Sequence, residues 1–157
     1  MTIRAVLLCV GKIKEKYLLD AISEYTKRLS RYGKWEIIQI EDEKDPQDLS
    51  LIPIALQKEG DRLLSKIKDT DYVIALCIDG QEMDSIAFSK AMEKWSLMGR
   101  VVFVIGGSNG LDPRVIQRAN ESLSFSKMTF PHQLMRVIFL EQSYRAMRIG
   151  NGEPYHK

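Results

Sequence analysis

The stretch Val101-Val-Phe-Val-Ile-Gly-Gly-Ser-Asn-Gly110 decides the fold of this 157-residue chain. Its first five residues are all apolar and either β-branched or aromatic, which predicts a buried strand over Val101–Ile105. Three glycines follow within five residues, and Asp112 and Pro113 then supply the cap and the first turn of a helix. A strand, a glycine loop and a helix in direct succession are typical of α/β proteins.

The same alternation of strands and helices extends over the rest of the chain. Four further segments predict strands: Ile3–Val10, Trp35–Ile40, Tyr72–Ile78 and Ser122–Ser126. The third of these strands ends at Asp79-Gly80. Apolar residues spaced three and four apart predict helices over 17–29, 56–67 and 85–97, and Pro131 opens a long helix to about Ile149. The acidic stretch Glu41–Asp48 is a predicted loop. Residues 1–157 therefore form one α/β domain with a parallel sheet flanked by helices.

The composition fits a soluble globular protein, with 45% hydrophobic and 28% charged residues. No apolar run approaches the roughly 20 residues that a membrane span needs, and the apolar run near the N-terminus is too short for a signal peptide. We therefore expect a cytoplasmic protein that crosses no membrane. Cys9 and Cys77 lie inside apolar runs, where a thiol behaves as a small hydrophobe, and their pattern predicts no metal site.

Charge is distributed unevenly along the chain although the net charge is only +2. Residues 1–34 carry eight Lys and Arg against three acids, residues 35–110 carry eight against fourteen, and residues 111–157 carry seven against four. The two ends are therefore basic and the middle is acidic. If the fold brings the ends together, they form a positive face for a polyanion such as RNA; solvated helix surfaces are the alternative.

The glycine loop is the first candidate binding site. Loops at the carboxyl ends of parallel strands form the ligand crevice of open α/β sheets, and glycines let a ligand approach the backbone. The loop lacks the spacings of the dinucleotide and P-loop phosphate motifs. A tight turn that only needs positive φ is the structural alternative, and a flavodoxin-like nucleotide-binding module without catalysis is the alternative from another functional class.

The long C-terminal helix begins with a candidate proton acceptor. His132 follows Pro131 at the predicted helix N-terminus, where the helix dipole disfavours the imidazolium form. A histidine that only caps the helix is an equally good interpretation of this segment alone. The helix is apolar nearly all round, which predicts burial on more than one side, either at the centre of the chain or against a partner subunit. Glu141 and Arg145 are spaced for an ion pair within the helix.

Five segments of the chain, in order, match one family: Asp79-Gly80, Phe103–Leu111, Leu123–Arg136, Glu141–Ala146 and Pro154–His156. Together they resemble the bacterial ribosomal RNA large subunit methyltransferase H family of the SPOUT superfamily. The resemblance implies a homodimeric enzyme that transfers a methyl group from S-adenosylmethionine to N3 of a pseudouridine in 23S ribosomal RNA, within the assembled ribosome. It also implies a trefoil knot in the C-terminal segment. A small-molecule methyltransferase is the closest alternative.

The resemblance also assigns roles to single residues. The cofactor-binding positions it implies lie at strand ends and in loops: Leu76, Gly106, Phe125, Ser126, Lys127, Met128, Thr129 and Phe130. The reaction needs a group that accepts the N3 proton or a cation that stabilises the resulting anion. The sequence offers five candidates and does not choose among them: His132, Arg136, Arg145, Tyr155 and His156.

The tail from Gly150 to Lys157 receives two opposed interpretations. Its composition holds too little apolar surface to pack, which is typical of a frayed terminus. The resemblance instead implies that the tail folds over the active site and brings Tyr155 and His156 near Arg145 and the methyl group.

Overall fold

The structure is a computed structural model that describes residues 1–156. Five strands and five α-helices alternate along this part of the chain: β1 (Ile3–Val10), α1 (Lys16–Leu29), β2 (Gly33–Ile40), α2 (Ile52–Ser65), β3 (Tyr72–Glu82), α3 (Ser85–Trp95), β4 (Arg100–Ile105), α4 (Pro113–Arg118), β5 (Glu121–Ser124) and α5 (His132–Gly150). The strands form one sheet in the order β2-β1-β4-β3-β5, and every neighbouring pair is parallel. The predicted α/β fold with a parallel sheet is therefore confirmed, while the trefoil knot stays a prediction.

Two hydrophobic clusters cover the two faces of the sheet. The larger packs side chains of α1, α3 and α5 on the sheet and contains a chain of aromatic contacts, in which the rings of Phe103 and Phe139 lie 4.8 Å apart. The smaller packs Leu63 of α2 and Val115 of α4 on the opposite face. Because the central strands are covered on both sides, their sequences are continuously apolar.

Strand β3 is longer than the sequence predicted. The expected end at Asp79-Gly80 is wrong, because the strand runs on to Glu82. Pairing with β5 breaks between Leu76 and Gln81 and then resumes at Gln81 and Glu82. The residues between them form an irregularity in the pairing. The length of the apolar run does not reveal that the strand continues, because the resumed pairing depends on the backbone of β5.

Several helix ends also differ from the predicted ones. Helix α2 begins at Ile52, four residues before the predicted start, because Pro53 lies in the first turn, where a missing N–H costs nothing. Helix α3 ends at Trp95, and Leu97 lies in an exposed turn beyond it. Strand β5 covers Glu121–Ser124 and leaves Phe125 and Ser126 in the following loop.

Helix α5 crosses one face of the sheet from edge to edge. It begins beside the carboxyl ends of the strands and ends near the start of β1, where the Met1 ammonium donates to Asn151 Oδ1 over 2.9 Å. It packs between α1 and α3, and only Leu134 and Gly150 along its length are exposed. The first of the two predicted explanations for its apolar character, a central place in the monomer, therefore applies to most of its length, and packing against a partner subunit stays a prediction. No helix in the described residues is long and apolar enough for a membrane crossing.

Candidate active site

A cleft of about 310 Å³ opens at the carboxyl edge of the sheet. The ends of β3, β4 and β5, the loops that follow β4 and β5, and the first turn of α5 form its walls. A volume of this size suits a small ligand, and carboxyl edges of parallel sheets are the usual place for one. Most of the lining surface is apolar, and Leu76, Ile105 and Met135 contribute to it.

The glycine loop after β4 closes on itself beside this cleft. Gly110 N–H donates to the Gly107 carbonyl over 3.1 Å, and Gly110 has a φ of 83°. A side chain at Gly106 would collide with the carbonyl of Gly110. The loop therefore needs these glycines for its own shape, as the turn interpretation predicted, while Gly106, Gly107 and Gly110 also line the cleft.

The segment 125–130 forms the opposite wall. Ser126 anchors it, since its carbonyl accepts from Ser124 Oγ over 3.0 Å and its Oγ accepts from Met128 N–H over 2.9 Å. Seven of the eight predicted cofactor-binding residues line the cleft: Leu76, Gly106, Phe125, Ser126, Met128, Thr129 and Phe130. The eighth, Lys127, is exposed outside it. Phe125 and Phe130 also border a second hollow of about 340 Å³ between α3 and α5.

His132 lies at the edge of the cleft as the first residue of α5. Burial, and after it the positive charge of Arg136, lower the pKa of its imidazole below the ordinary value. Its Nδ1 atom is buried and has no hydrogen-bond partner within residues 1–156. The site therefore holds a neutral imidazole, which is the form that accepts a proton.

Arg136 is held inside the protein. It is 1% exposed, and its Nη2 donates to the carbonyls of Val10 and Gly11 over 2.8 and 3.0 Å, while Nη1 donates to Gln39 Oε1 over 3.0 Å. The side chain is not part of the cleft lining. The guanidinium therefore holds the end of β1, and its predicted catalytic role stays a prediction.

The tail is held against α5 up to His156, and Lys157 lies outside the described residues. Tyr155 OH donates to Glu141 Oε2 over 3.1 Å, and Arg145 Nη2 donates to the same oxygen over 3.1 Å. Arg145 also stacks over the Tyr155 ring and lies 3.2 Å from His156 Nδ1. The frayed terminus expected from composition is therefore wrong for this part of the tail, and the predicted Glu141–Arg145 ion pair is confirmed.

Glu141, Arg145, Tyr155 and His156 form a tail cluster that lies outside the cleft of its own chain. Arg145 is thirteen residues after His132 on the same helix, which corresponds to about 20 Å along the axis. From Glu153 the tail runs back along α5. Glu153 binds Tyr32, which lies just before β2 at the amino edge of the sheet. The expected approach of Tyr155 and His156 to Arg145 is present, whereas their approach to the cleft does not occur within one chain.

Sequence reasoning missed the residue that ties the glycine loop to the acidic stretch. Asp45 Oδ1 accepts hydrogen bonds from Ser108 Oγ over 2.7 Å and from Asn109 Nδ2 over 3.2 Å. The acidic stretch passes over the end of β1 to make this contact, since Asp42 lies against Gly11. The run of carboxylates was visible in the sequence, but nothing in its spacing indicates which of them reaches the loop.

The chemistry available at the cleft is that of binding and proton transfer. Burial raises the pKa of the Cys77 thiol, which lines the cleft, so this thiol is protonated at neutral pH and is a poor nucleophile. Residues 1–156 contain no group of three or more His, Cys, Asp or Glu side chains arranged to hold a metal ion.

Comparison with known proteins identifies the family. A family profile described as "Predicted SPOUT methyltransferase" matches residues 1–156. The chain is 54% identical over 155 residues to proteins from Bifidobacterium animalis subsp. lactis and Bacillus cereus, both named ribosomal RNA large subunit methyltransferase H; each match covers 96% of this chain and 98% of the relative. The structure of a probable methylase family protein from Haemophilus influenzae Rd KW20 shares the fold, with a TM-score of 0.60 at 11% identity over 100% of this chain and 72% of that one. The chain therefore belongs to the SPOUT methyltransferase family, among the ribosomal RNA large subunit methyltransferase H proteins.

Proposed function

We propose that this chain acts as a single methyltransferase domain that uses S-adenosylmethionine to methylate N3 of a pseudouridine in 23S ribosomal RNA. One observation carries the proposal: in a family of methyltransferases, the glycine loop and the segment 125–130 enclose one cleft with a neutral histidine at its edge. The relatives at 54% identity carry a name that specifies ribosomal RNA of the large subunit.

The lining of the cleft fits the proposed cofactor. Aliphatic and aromatic side chains suit the adenine ring and the methionine chain, and the backbone of the glycine loop lies close enough to the surface to hydrogen-bond polar groups. S-adenosylmethionine supplies a methyl group on an electrophilic sulfonium centre. The protein then needs mainly to align the base nitrogen with that methyl group and to accept the N3 proton.

We assign each candidate side chain a role according to its position in the structure. His132 is the proposed proton acceptor, because it lines the cleft and its imidazole is held neutral. Arg145, Tyr155 and His156 are proposed to orient the base and to stabilise negative charge on it. Arg136 is proposed to act as a positioning residue, since it fixes the end of β1 beside His132.

We further propose a cytoplasmic homodimer in which the tail of each subunit completes the cleft of its partner. The proposal is supported by the position of Arg145, about 20 Å along α5 from His132 of the same chain. It is also supported by apolar side chains near the start of α5 that stay partly exposed in the single chain, namely Leu134, Val137 and Ile138. Two copies related by a two-fold axis bury the same patch on each other.

Transfer of a radiolabelled methyl group tests the proposed function. We expect label from S-adenosylmethionine to enter 23S ribosomal RNA when ribosomes from a strain lacking the modification are the acceptor, and nucleoside analysis to recover N3-methylpseudouridine. Large subunits and protein-free RNA as further acceptors establish the form of the substrate. Labelling of small molecules without labelling of RNA favours the small-molecule alternative, and tight binding of flavin nucleotides in calorimetry favours the binding module.

A further inference from the structure

The tripeptide Lys-Ile-Lys occurs twice in the chain, at opposite edges of the sheet. Residues 12–14 follow β1 at the carboxyl edge, where the cleft opens. Residues 66–68 lie between α2 and β3, at the amino edge. In both copies the two lysines are exposed. The same charges are therefore presented on two surfaces, of which only one contains the cleft.

The first copy lies next to the wall of the cleft. Strand β1 pairs with β4, with Cys9 opposite Ile105, so the loops that follow these strands begin about 4.8 Å apart. The side chain of Val10 lies against Gly107 in the glycine loop. Ile13 is only 7% exposed and anchors the loop, so Lys12 and Lys14 are held on either side of a fixed point.

Arg136 fixes the position of this loop relative to α5. Its two hydrogen bonds to the carbonyls of Val10 and Gly11 join the start of the loop to the helix turn that follows His132. The lysines therefore extend from a backbone that is rigidly connected to the proposed proton acceptor. Long side chains on a fixed backbone suit a contact that must be made at a set distance from the reacting base.

The charges around the loop leave both lysines available. Neither Lys12 nor Lys14 forms an ion pair with any residue of 1–156. In the neighbouring acidic stretch, Glu43 pairs with Arg62 and Lys58, and Asp45 binds the glycine loop. Asp42 lies beside Gly11 and is the acid from that stretch closest to the start of the loop.

We propose that Lys12 and Lys14 bind backbone phosphates of the RNA strand whose base enters the cleft. The inference rests on the proposed function and adds to it a contact surface for the RNA. Lysine ammonium groups recognise phosphate as point charges, and phosphate contacts fix the register of a nucleic acid without reading its sequence. The contact therefore sets which nucleotide reaches the cleft.

The second tripeptide supplies a matched control for the test. The double variant Lys12→Gln/Lys14→Gln is compared with Lys66→Gln/Lys68→Gln, which removes the same charge from the same sequence at the other edge. Binding to large ribosomal subunits is measured between 50 and 200 mM KCl. Each lost phosphate contact makes the slope of log affinity against log salt less steep by about 0.7 to 0.9. The slope of the first variant is therefore expected to be less steep by about 1.4 to 1.8. The affinity of the unaltered protein for the subunits then falls by a factor about ten times larger than that of this variant over the same salt range.

The control variant is expected to keep the slope and the methyl-transfer rate of the unaltered protein, and Asp42→Asn is expected to bind subunits more tightly. Calorimetry with S-adenosylmethionine is expected to give one affinity for all proteins. An unchanged slope in Lys12→Gln/Lys14→Gln, or an equal loss in both double variants, overturns the assignment of the lysines. Failure of the unaltered protein to methylate the subunits overturns the proposed function instead, so the two failures are distinguishable.

Discussion

At the scale of single residues, the beginning of α5 sets the charge beside the cleft. Arg136 is a buried cation whose partners are two carbonyls and an amide oxygen rather than a carboxylate. Its positive charge adds to burial in lowering the pKa of His132 four residues earlier. A side chain outside the cleft lining thus helps to keep the neighbouring imidazole in its neutral form.

The lowered pKa of His132 predicts how stability depends on pH. Between the pKa in the folded protein and the ordinary value of 6.5, the unfolded chain binds a proton that the folded protein does not. Stability contributed by this group is present above pH 6.5 and is lost as the pH falls through the window below it. We expect the unaltered protein to lose more unfolding free energy between pH 7.5 and 5.5 than His132→Gln, as measured by urea denaturation.

Identical pH dependence of the unaltered protein and His132→Gln would show that the imidazole titrates as it does in the unfolded chain.

The two adjacent glycines of the loop predict different effects of added methyl groups. Gly106→Ala collides with the backbone of Gly110, which cannot yield without opening the loop. Gly107→Ala meets the tip of the Val10 side chain at 3.1 Å, and a rotamer change relieves that contact. We expect Gly106→Ala to cost about 1–3 kcal/mol of stability and to weaken S-adenosylmethionine binding in calorimetry, with a smaller effect from Gly107→Ala. Equal binding by both variants would contradict a cofactor held against this loop.

At the scale of elements, the sequence predicted the type of every strand and α-helix in residues 1–156, because each is marked by an apolar period, a continuous apolar run or cap residues. The ends of β3 and α2 were wrong, since they depend on pairing with β5 and on a proline whose effect changes with its place in a helix. In the site, spacing identified the glycine loop and His132. It did not reveal that Arg136 points inward, because the direction of a charged side chain on an apolar helix depends on neighbours distant in sequence.

Glu153 connects the tail to the body of the protein, and we expect its substitution to affect both stability and methyl transfer. Its carboxylate accepts from Tyr32 OH over 2.8 Å and binds Arg148 and Arg31. Glu153→Ala leaves the Tyr32 and Arg148 groups without this partner, so we expect a loss of about 1–3 kcal/mol in unfolding free energy. We also expect slower methyl transfer with unchanged S-adenosylmethionine affinity, because the tail is released while the cleft remains.

An exposed glutamate serves as the control for Glu153. Glu24 pairs with Arg28 on the surface of α1, and Glu24→Ala is expected to cost less than about 0.5 kcal/mol. Full methyl transfer by Glu153→Ala, at a stability that shows the contact is lost, would mean that catalysis does not need the tail to be held in place.

At the scale of the whole molecule, the proposed dimer predicts that two inactive variants restore each other. One variant lacks residues 154–157, and we expect its turnover to fall by orders of magnitude; the other carries Gly106→Val and keeps its tail. In a mixed dimer, the intact cleft of the first meets the intact tail of the second. Random pairing after co-expression is expected to recover about a quarter of the activity per subunit, as measured by methyl transfer to ribosomes.

Each variant alone, at the same total concentration, is the control for the mixture. A mixture no more active than its components would show that each tail serves its own chain. A monomer in sedimentation at micromolar concentration, with full activity, would contradict the dimer altogether.

The place of β1 between β2 and β4 has a consequence for synthesis of the protein. Its partner β2 is complete at Ile40, whereas its other partner, β4, is complete only at Ile105. At about 5–20 residues per second, translation leaves the open side of β1 without a partner for roughly 3–13 seconds. An apolar strand edge exposed for that long pairs readily with other chains. We therefore expect the nascent protein to need chaperones, or the shelter of the translating ribosome, until its fourth strand emerges.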